Sequence, residues 1–382
     1  MRISKSHKYS FVHSWHFYLI FAATVSLHSC HVGRFFYWNF ADANDYKKFA
    51  SVPVNKAPES FHYSESNPKS DIPLPDAYQQ ESKTESLSEF LEQNKTLAFL
   101  VIKNDSIVYE NYFDGYNESS VIPSFSVSKV FVSALTGIAI QEGYLRSASQ
   151  PITDFIPELL DNDPAFASIT IADLLNMRSG IRFNEGYANP FADMAKFYYG
   201  RHLQDYLKNL KIESPPDQNY EYTSVNTLLL AMILERSTGR QLNDYLAEKI
   251  WQPLGMEYEA TWSIDSKAGN QIKAFCCLNA RARDFAKLGS LYLNHGQWQG
   301  QQVVPEAWVE KSLSIINDSR DSQGYPYTYQ WRVLPSGAAF AKGVLGQYIY
   351  IDLAKNVIIV RMGKKSGDVN WAAFFGELVE GL

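Results

Sequence analysis

The chain has 382 residues, 46% of them hydrophobic, 14% aromatic and 20% charged, with 35 basic against 41 acidic side chains and a formal charge of −6. Its wealth of Tyr, Phe and Trp excludes full disorder, and its mild acidity runs opposite to a nucleic-acid binder. Three cysteines cannot form a disulfide framework, so the fold must rest on packing.

Arg2, Lys5 and Lys8 make a basic start before an apolar run from Phe17 to Leu27. The run is shorter than the roughly 20 residues of a membrane-spanning helix and suits the core of a signal peptide. It ends in Leu27-His28-Ser29-Cys30, which resembles a bacterial lipobox with Cys30 as the lipid attachment point. An uncleaved membrane anchor is the other reading, helped by Phe35-Phe36-Tyr37-Trp38, which suit an interface. Both readings place the body in the bacterial cell envelope. Residues 1–30 are therefore expected to be signal or anchor. Residues 31–80 are expected to be a linker or surface strap, marked by Pro53, Pro58, Pro68, Pro73 and Pro75. The body should occupy 81–382.

Within the body, Glu81 to Asn94 has helical spacing. Leu97 to Lys103 and Ile107 to Phe113 are β-type runs separated by Asn104-Asp105-Ser106, a hairpin signal. Ser126 to Glu142 is strongly helical, apolar on nearly all sides, and followed by Gly143 as a stop. Further helices fit 171–177, 225–237, 242–251, 280–294 and 305–313, and strands fit 327–334, 346–352 and 357–362. A final amphipathic helix runs from Asn370 to Val379. Strands at both ends with helices between predict an α+β fold. The N- and C-terminal strands would share one antiparallel sheet, flanked by helices and a helical subdomain.

Ser126-Val127-Ser128-Lys129 is a Ser-x-x-Lys at the head of that apolar helix. The pattern alone is weak, and Ser66-Asn67-Pro68-Lys69 repeats it in the Pro-rich stretch. At Ser126 the i, i+3 spacing puts both side chains on one helix face, so the lysine amine can reach the hydroxyl and take its proton. The helix N-terminus supplies free N–H groups where an oxyanion would form. An N-cap serine with a solvated Lys129 is the plainer alternative.

Phe125-Ser126-Val127-Ser128-Lys129 resembles the nucleophile segment of the β-lactamase-related serine hydrolases: class C β-lactamases, penicillin-binding DD-peptidases, and an esterase and 6-aminohexanoate-dimer hydrolase branch. The resemblance covers roughly residues 85–380. It assigns Tyr222 and Ser224, in Tyr220-Glu221-Tyr222-Thr223-Ser224, to the family's Tyr-x-Ser motif, with Tyr222 moving a proton between serine and leaving group. Leu174-Leu175-Asn176-Met177-Arg178-Ser179-Gly180 resembles an element that packs under the site. Ala280 to Ala286 resembles the helix before the last strands, its charges read as structural ion pairs.

The third motif departs. Where the family carries Lys-Thr-Gly or His-x-Gly, this chain has Val344-Leu345-Gly346. The resemblance implies that Gly346 lets the backbone approach substrate, that the N–H of Gln347 joins that of Ser126 as oxyanion donor, and that Lys342 is the available replacement cation. Loss of the carboxylate-binding lysine or histidine argues for an ester or amide substrate over a β-lactam or a peptide C-terminus. The expectation is a Ser126 acyl-enzyme with Lys129 and Tyr222 as proton-transfer groups, no cofactor and no metal. A DD-peptidase or β-lactamase, or a non-catalytic envelope binding protein on the same scaffold, are the alternatives. Cys276-Cys277 reads as two buried thiols acting as small apolar residues, with a strained vicinal disulfide as the alternative. The sequence carries no sign of oligomeric state.

Overall fold

The computed structural model describes residues 31–38, 40–65 and 72–382. The apolar run at 17–27, Cys30 and the Ser66–Lys69 pattern lie outside the described residues. No helix among the described residues is long and apolar enough to cross a membrane.

Fourteen strands lie among the described residues, in chain order β1 (Ser51–Val54), β2 (Ser64–Glu65), β3 (Thr96–Lys103), β4 (Ser106–Tyr112), β5 (Ile122–Pro123), β6 (Ala260–Ser263), β7 (Leu278–Ala280), β8 (Gln297–Trp298), β9 (Gln301–Gln302), β10 (Tyr327–Thr328), β11 (Trp331–Val333), β12 (Ala339–Lys342), β13 (Tyr348–Asp352) and β14 (Val357–Gly363). The large sheet has the order β10-β11-β12-β13-β14-β3-β4-β2. Its pairings are antiparallel except the short β2–β4 contact. The terminal strands therefore meet in one sheet, as the sequence order implies. The β3–β4 hairpin turns through Asn104 and Asp105, both at positive φ, the conformation that tight hairpins demand.

Side-chain alternation drives the layering. Ile358 and Val360 on β14, Leu100 and Ile102 on β3, and Ile349 and Ile351 on β13 face the larger core. Their neighbours Ile359, Phe99, Val101, Tyr348 and Tyr350 face a second core. The helices that matter here are α1 (His31–Trp38), α2 (Leu87–Gln93), α3 (Ser128–Gln141), α4 (Ile171–Leu175), α5 (Asp193–Tyr199), α6 (Val225–Thr238), α7 (Ala282–Leu293) and α8 (Trp371–Glu380). Helices α2 and α8 cover the second core, where Phe90 and Phe374 stack at 4.9 Å. On the other face α3, α6 and α7 fill the larger core.

Three departures from the sequence reading have local causes. The helix expected over 81–94 splits into Asp76–Ser82 and α2, because Lys83 turns left-handed and Ser86 caps a new start by accepting the Glu89 N–H at 3.1 Å. The strand expected over 327–334 folds back on itself through Tyr329 and Gln330, both at positive φ. A second sheet, β1-β6-β7-β5, escapes the sequence altogether because its strands are only two to four residues long.

The segment before the body is packed against it. β1 pairs with β6, the Phe61 N–H donates to the Gly255 carbonyl at 2.8 Å, and the Tyr63 hydroxyl meets Ser290 Oγ at 2.7 Å. Helix α1 lies on α5, with Arg34 Nε donating to the Tyr199 carbonyl and Phe35 edge-on to the Tyr199 ring.

Candidate active site

Ser126 stands in a tight 3-10 turn, Phe125–Val127, that leads into α3. Phe125 holds φ at +45°, an uncommon conformation for a non-glycine residue. Ser126 lies in the first turn, where backbone N–H groups have no acceptor within the helix. One turn later Lys129 is 1% exposed and points back, with Nζ 3.1 Å from Ser126 Oγ. The same Nζ donates to the Phe275 carbonyl at 2.6 Å and reaches Ser224 Oγ at 3.5 Å. The Tyr222 ring centroid lies 5.2 Å from Nζ. Ser126, Lys129, Tyr222 and Ser224 are thus brought together, and a solvated Lys129 is excluded.

The segment carrying Tyr222 and Ser224 is seated by the stretch that follows α4. Met177 sits at positive φ, its carbonyl accepts the Glu221 N–H at 2.9 Å, and Ser179 Oγ donates to Asn226 Oδ1 at 2.8 Å. Glu185 adds a contact that sequence reasoning missed. It accepts from the Ser224 N–H at 2.9 Å, from Ser224 Oγ at 2.5 Å and from the Tyr187 hydroxyl at 2.8 Å. The Tyr187 side chain is about half exposed, and its hydroxyl donates to the Glu185 carboxylate rather than to the cavity floor. Nothing in the irregular loop that carries these two residues marks them in advance.

The third element is the turn Gly343–Gln347 between β12 and β13. It closes with the Gly343 N–H on the Gln347 carbonyl at 2.8 Å and the Gly346 N–H on the Gly343 carbonyl at 3.0 Å. Gly343, Val344 and Leu345 of this turn line the cavities that meet at Ser126, and of the three Val344 borders both. Two expectations are corrected here. Gln347, whose backbone N–H was the expected donor, is fully buried and lines neither cavity, and its side chain ties the turn together, Oε1 accepting the Leu345 N–H at 3.0 Å and Nε2 donating to the Gly363 carbonyl at 3.0 Å. Gly346 does not face substrate either. It holds φ at +84°, and a Cβ there would fall 2.1 Å from Arg361 Nη1. The glycine makes room for a buried guanidinium, which donates to the Gly346 carbonyl at 2.7 Å and stacks on Trp371 at 3.7 Å. Burial lowers the Arg361 pKa to about 9. It is Gly343 that makes a close approach at the site, since a Cβ there would lie 2.7 Å from the Ser124 carbonyl.

Two cavities meet at Ser126. One, of about 690 Å³, is the more polar of the two and is lined by Tyr222, Glu185, Arg332, Asp321 and Lys342. Arg332 is paired with Asp321 at 2.6 Å, and Lys342 donates to Gln323 at 2.6 Å. Burial and the nearby Arg332 lower the Lys342 pKa. The other cavity, of about 190 Å³, is apolar. Val344 and Tyr187 border both.

Cys276 and Cys277, expected to be free thiols, are joined in a disulfide between neighbours. The turn decides this: the Cys276 N–H closes onto the Lys273 carbonyl, and Cys277 adopts φ of +71°. Cys276 lines the apolar cavity, next to the carbonyl that holds Lys129. The charges of the 280s are structural. Arg283 pairs with Glu110 at 2.5 Å, and Asp284 accepts the Glu257 N–H at 2.7 Å. Among the described residues no three His, Cys, Asp or Glu side chains gather as a metal site would require.

The family described as Beta-lactamase matches residues 85–372, which hold all three elements of the site. The chain belongs to the β-lactamase family. It is 28% identical over 297 residues to 6-aminohexanoate-dimer hydrolase from Paenarthrobacter ureafaciens, covering 72% of this chain and 74% of that protein. Among solved structures it resembles "Putative 6-aminohexanoate-dimer hydrolase from Bacillus anthracis", at 26% identity and a TM-score of 0.75 over 89% of this chain and 92% of that one. A class C β-lactamase shares the fold at 16% identity, with a TM-score of 0.59 over 78% of this chain and 94% of that one. The mixed helix and antiparallel-sheet architecture of this β-lactamase-family chain is that of its hydrolase relatives.

Proposed function

We propose that this β-lactamase-family protein is a serine hydrolase that cleaves an ester or amide through an acyl-enzyme on Ser126. One observation carries the reading: the Lys129 amine, shut away from water, is aimed at the Ser126 hydroxyl at 3.1 Å. Nucleophile and adjacent base are the parts that acyl transfer needs.

Ser126 Oγ attacks the carbonyl carbon while its proton passes to the Lys129–Tyr222 pair. The carbonyl oxygen becomes an oxyanion, held by the Ser126 N–H and the Val344 N–H. Val344 takes the place given to Gln347 in the sequence reading because it borders the nucleophile, and its N–H donates no hydrogen bond among the described residues. Collapse of the tetrahedral intermediate breaks the bond to the leaving oxygen or nitrogen, which receives the proton from Tyr222. Water then attacks the acyl-enzyme, releases the acid and restores the serine proton.

The apolar Val344-Leu345 at the third motif supports an ester or amide over a substrate read by its carboxylate. The basic N-terminus and the run ending at Cys30 support a place in the cell envelope. Labelling by a fluorophosphonate probe, with turnover of short-chain p-nitrophenyl esters, tests the mechanism. Wild type is labelled, S126A is not, and nitrocefin is turned over weakly or not at all. Equal labelling of S126A would overturn the assignment, and fast nitrocefin turnover would restore the β-lactamase reading.

A further inference from the structure

The geometry points to a dedicated site for the acyl half of the substrate: the 190 Å³ apolar cavity beside Ser126, which takes a short, uncharged acyl chain and is walled in part by the N-terminal strap. The inference rests on the acyl-enzyme reading and goes beyond it by naming which half of the substrate lies where, and what chemistry that half has.

The direction follows from Tyr222. The group that hands a proton to the departing oxygen or nitrogen must stand on the leaving-group side. Tyr222 lines the polar cavity and does not line the apolar one. The departing half therefore lies among Glu185, Asp321, Arg332 and Lys342, and the half that stays bonded to Ser126 points the other way. The deacylating water can then enter through the polar cavity once the leaving group has gone.

The chemistry follows from the lining. Phe40, Phe125, Met194, Tyr198, Tyr199 and Leu345 are among the residues of the wall, and among the described residues no Asp, Glu, Lys, Arg or His lines it. Burying an unpaired ammonium or carboxylate among such groups is far more costly than burying a methyl end. Asp45, behind Tyr198, is already committed to the Tyr198 hydroxyl and to Lys48. Size sets the length: 190 Å³ is below the range of sites for drug-sized ligands, and at about 30 Å³ for each water-sized group it admits about six methylene-sized groups. Part of this wall lies outside the family match. Phe40 precedes residue 85, and the strap that carries it is held by α1 packing on α5.

The test is a p-nitrophenyl ester series on the full chain: acetyl, butyryl, hexanoyl, octanoyl, decanoyl and 6-aminohexanoyl. The expected kcat/KM rises from acetyl to a maximum at butyryl or hexanoyl and falls at least tenfold by decanoyl. The 6-aminohexanoyl ester, longer than hexanoyl only by its terminal ammonium, runs at least tenfold below hexanoyl. F40A opens the rim and moves the optimum to longer chains, whereas F191A, exposed and outside the cavity, leaves the profile unchanged. Thermal melts of both variants show that they fold. A flat length profile, a 6-aminohexanoyl ester as good as hexanoyl, or an F40A profile identical to wild type would overturn the assignment while Ser126 labelling leaves the catalytic reading standing. Absence of Ser126-dependent labelling would remove both.

Discussion

Replacing Gly346 with Ala separates the two reasons for a glycine in the third motif. Gly346 and Gly115 hold similar backbone angles, φ of +84° and +78°. A Cβ at Gly115 would meet nothing within 4 Å, whereas at Gly346 the Cβ would fall 2.1 Å from Arg361 Nη1. G115A therefore reads the conformational cost alone, about 1–2 kcal/mol for an L-residue in the left-handed region. G346A carries that cost and also displaces the guanidinium, which donates to the Gly346 carbonyl at 2.7 Å, to the Asn94 carbonyl at 2.8 Å and to Thr96 Oγ1 at 3.1 Å. Weakening one charge-assisted bond of that set adds about 1.5–3 kcal/mol, so G346A should cost about 3–5 kcal/mol in urea unfolding. The displaced turn also carries Val344, and loss of an oxyanion donor lowers kcat by roughly 10²–10³. Equal destabilisation by G346A and G115A would refute the steric argument. A destabilised G346A with wild-type kcat would refute the view that this turn holds a donor at Ser126.

Three further outcomes are expected. In E185Q the charged acceptor for Ser224 and Tyr187 is lost, and with hydrogen bonds to charged groups worth about 1.5–3 kcal/mol, kcat should fall tenfold or more while KM changes little; steady-state kinetics on butyryl ester reads the split. Reducing Cys276–Cys277 with dithiothreitol, its thiols counted by Ellman titration, should lower kcat several-fold, because the turn that presents the Phe275 carbonyl to Lys129 loses its clamp; a fully reduced enzyme with unchanged kcat contradicts this. Lys273 is buried, donates to the Tyr198 carbonyl, and burial lowers its pKa to about 7. From about pH 7 to the unfolded value near 10.5 the unfolded chain therefore holds more protons, and stability rises with pH by up to about 1.4 kcal/mol per unit. K273M should flatten that slope in unfolding midpoints measured between pH 7 and 9, and an identical slope in the two proteins would contradict the neutral buried amine.

The parts legible in the sequence share one property: their geometry is fixed by local spacing. Ser126 and Lys129 meet because i and i+3 share a helix face, and the hairpin at Asn104-Asp105 follows from residues that tolerate positive φ. Tyr222 and Ser224 were found by resemblance, and the structure seats them on Met177 and beside Lys129. The parts that escaped depend on contacts remote in sequence. The expectation that Gly346 meets substrate fails because nothing local announces Arg361, fifteen residues on, as the group that fills its side. The expectation of a donor at Gln347 fails because the register of a five-residue turn, which puts Val344 at the cavities and Gln347 behind, is set by hydrogen bonds to Gly343 and Gly363. The cysteine pair escaped for the same reason, since its bond depends on the turn at Lys273–Cys277.

The departure at the third motif and the N-terminal strap then read as one arrangement. Where relatives that read a carboxylate need a cation on the strand beside the nucleophile, Val344 and Leu345 extend an apolar wall that Phe125, Met194 and Tyr199 begin. That wall would open to water on its outer side without residues 31–50, and Phe40 and Ala41 close it there. The strap is itself held by groups that would be costly to bury without a reason: Arg34 on the Tyr199 carbonyl, Asp45 on the Tyr198 hydroxyl, and Lys273 over the Phe49 ring at 3.7 Å. All three converge on α5, the helix whose inner face lines the apolar cavity. The polar investment thus fixes a cavity wall rather than a catalytic group. Truncating the chain after the strap should therefore change which acyl chains are hydrolysed before it changes whether Ser126 reacts.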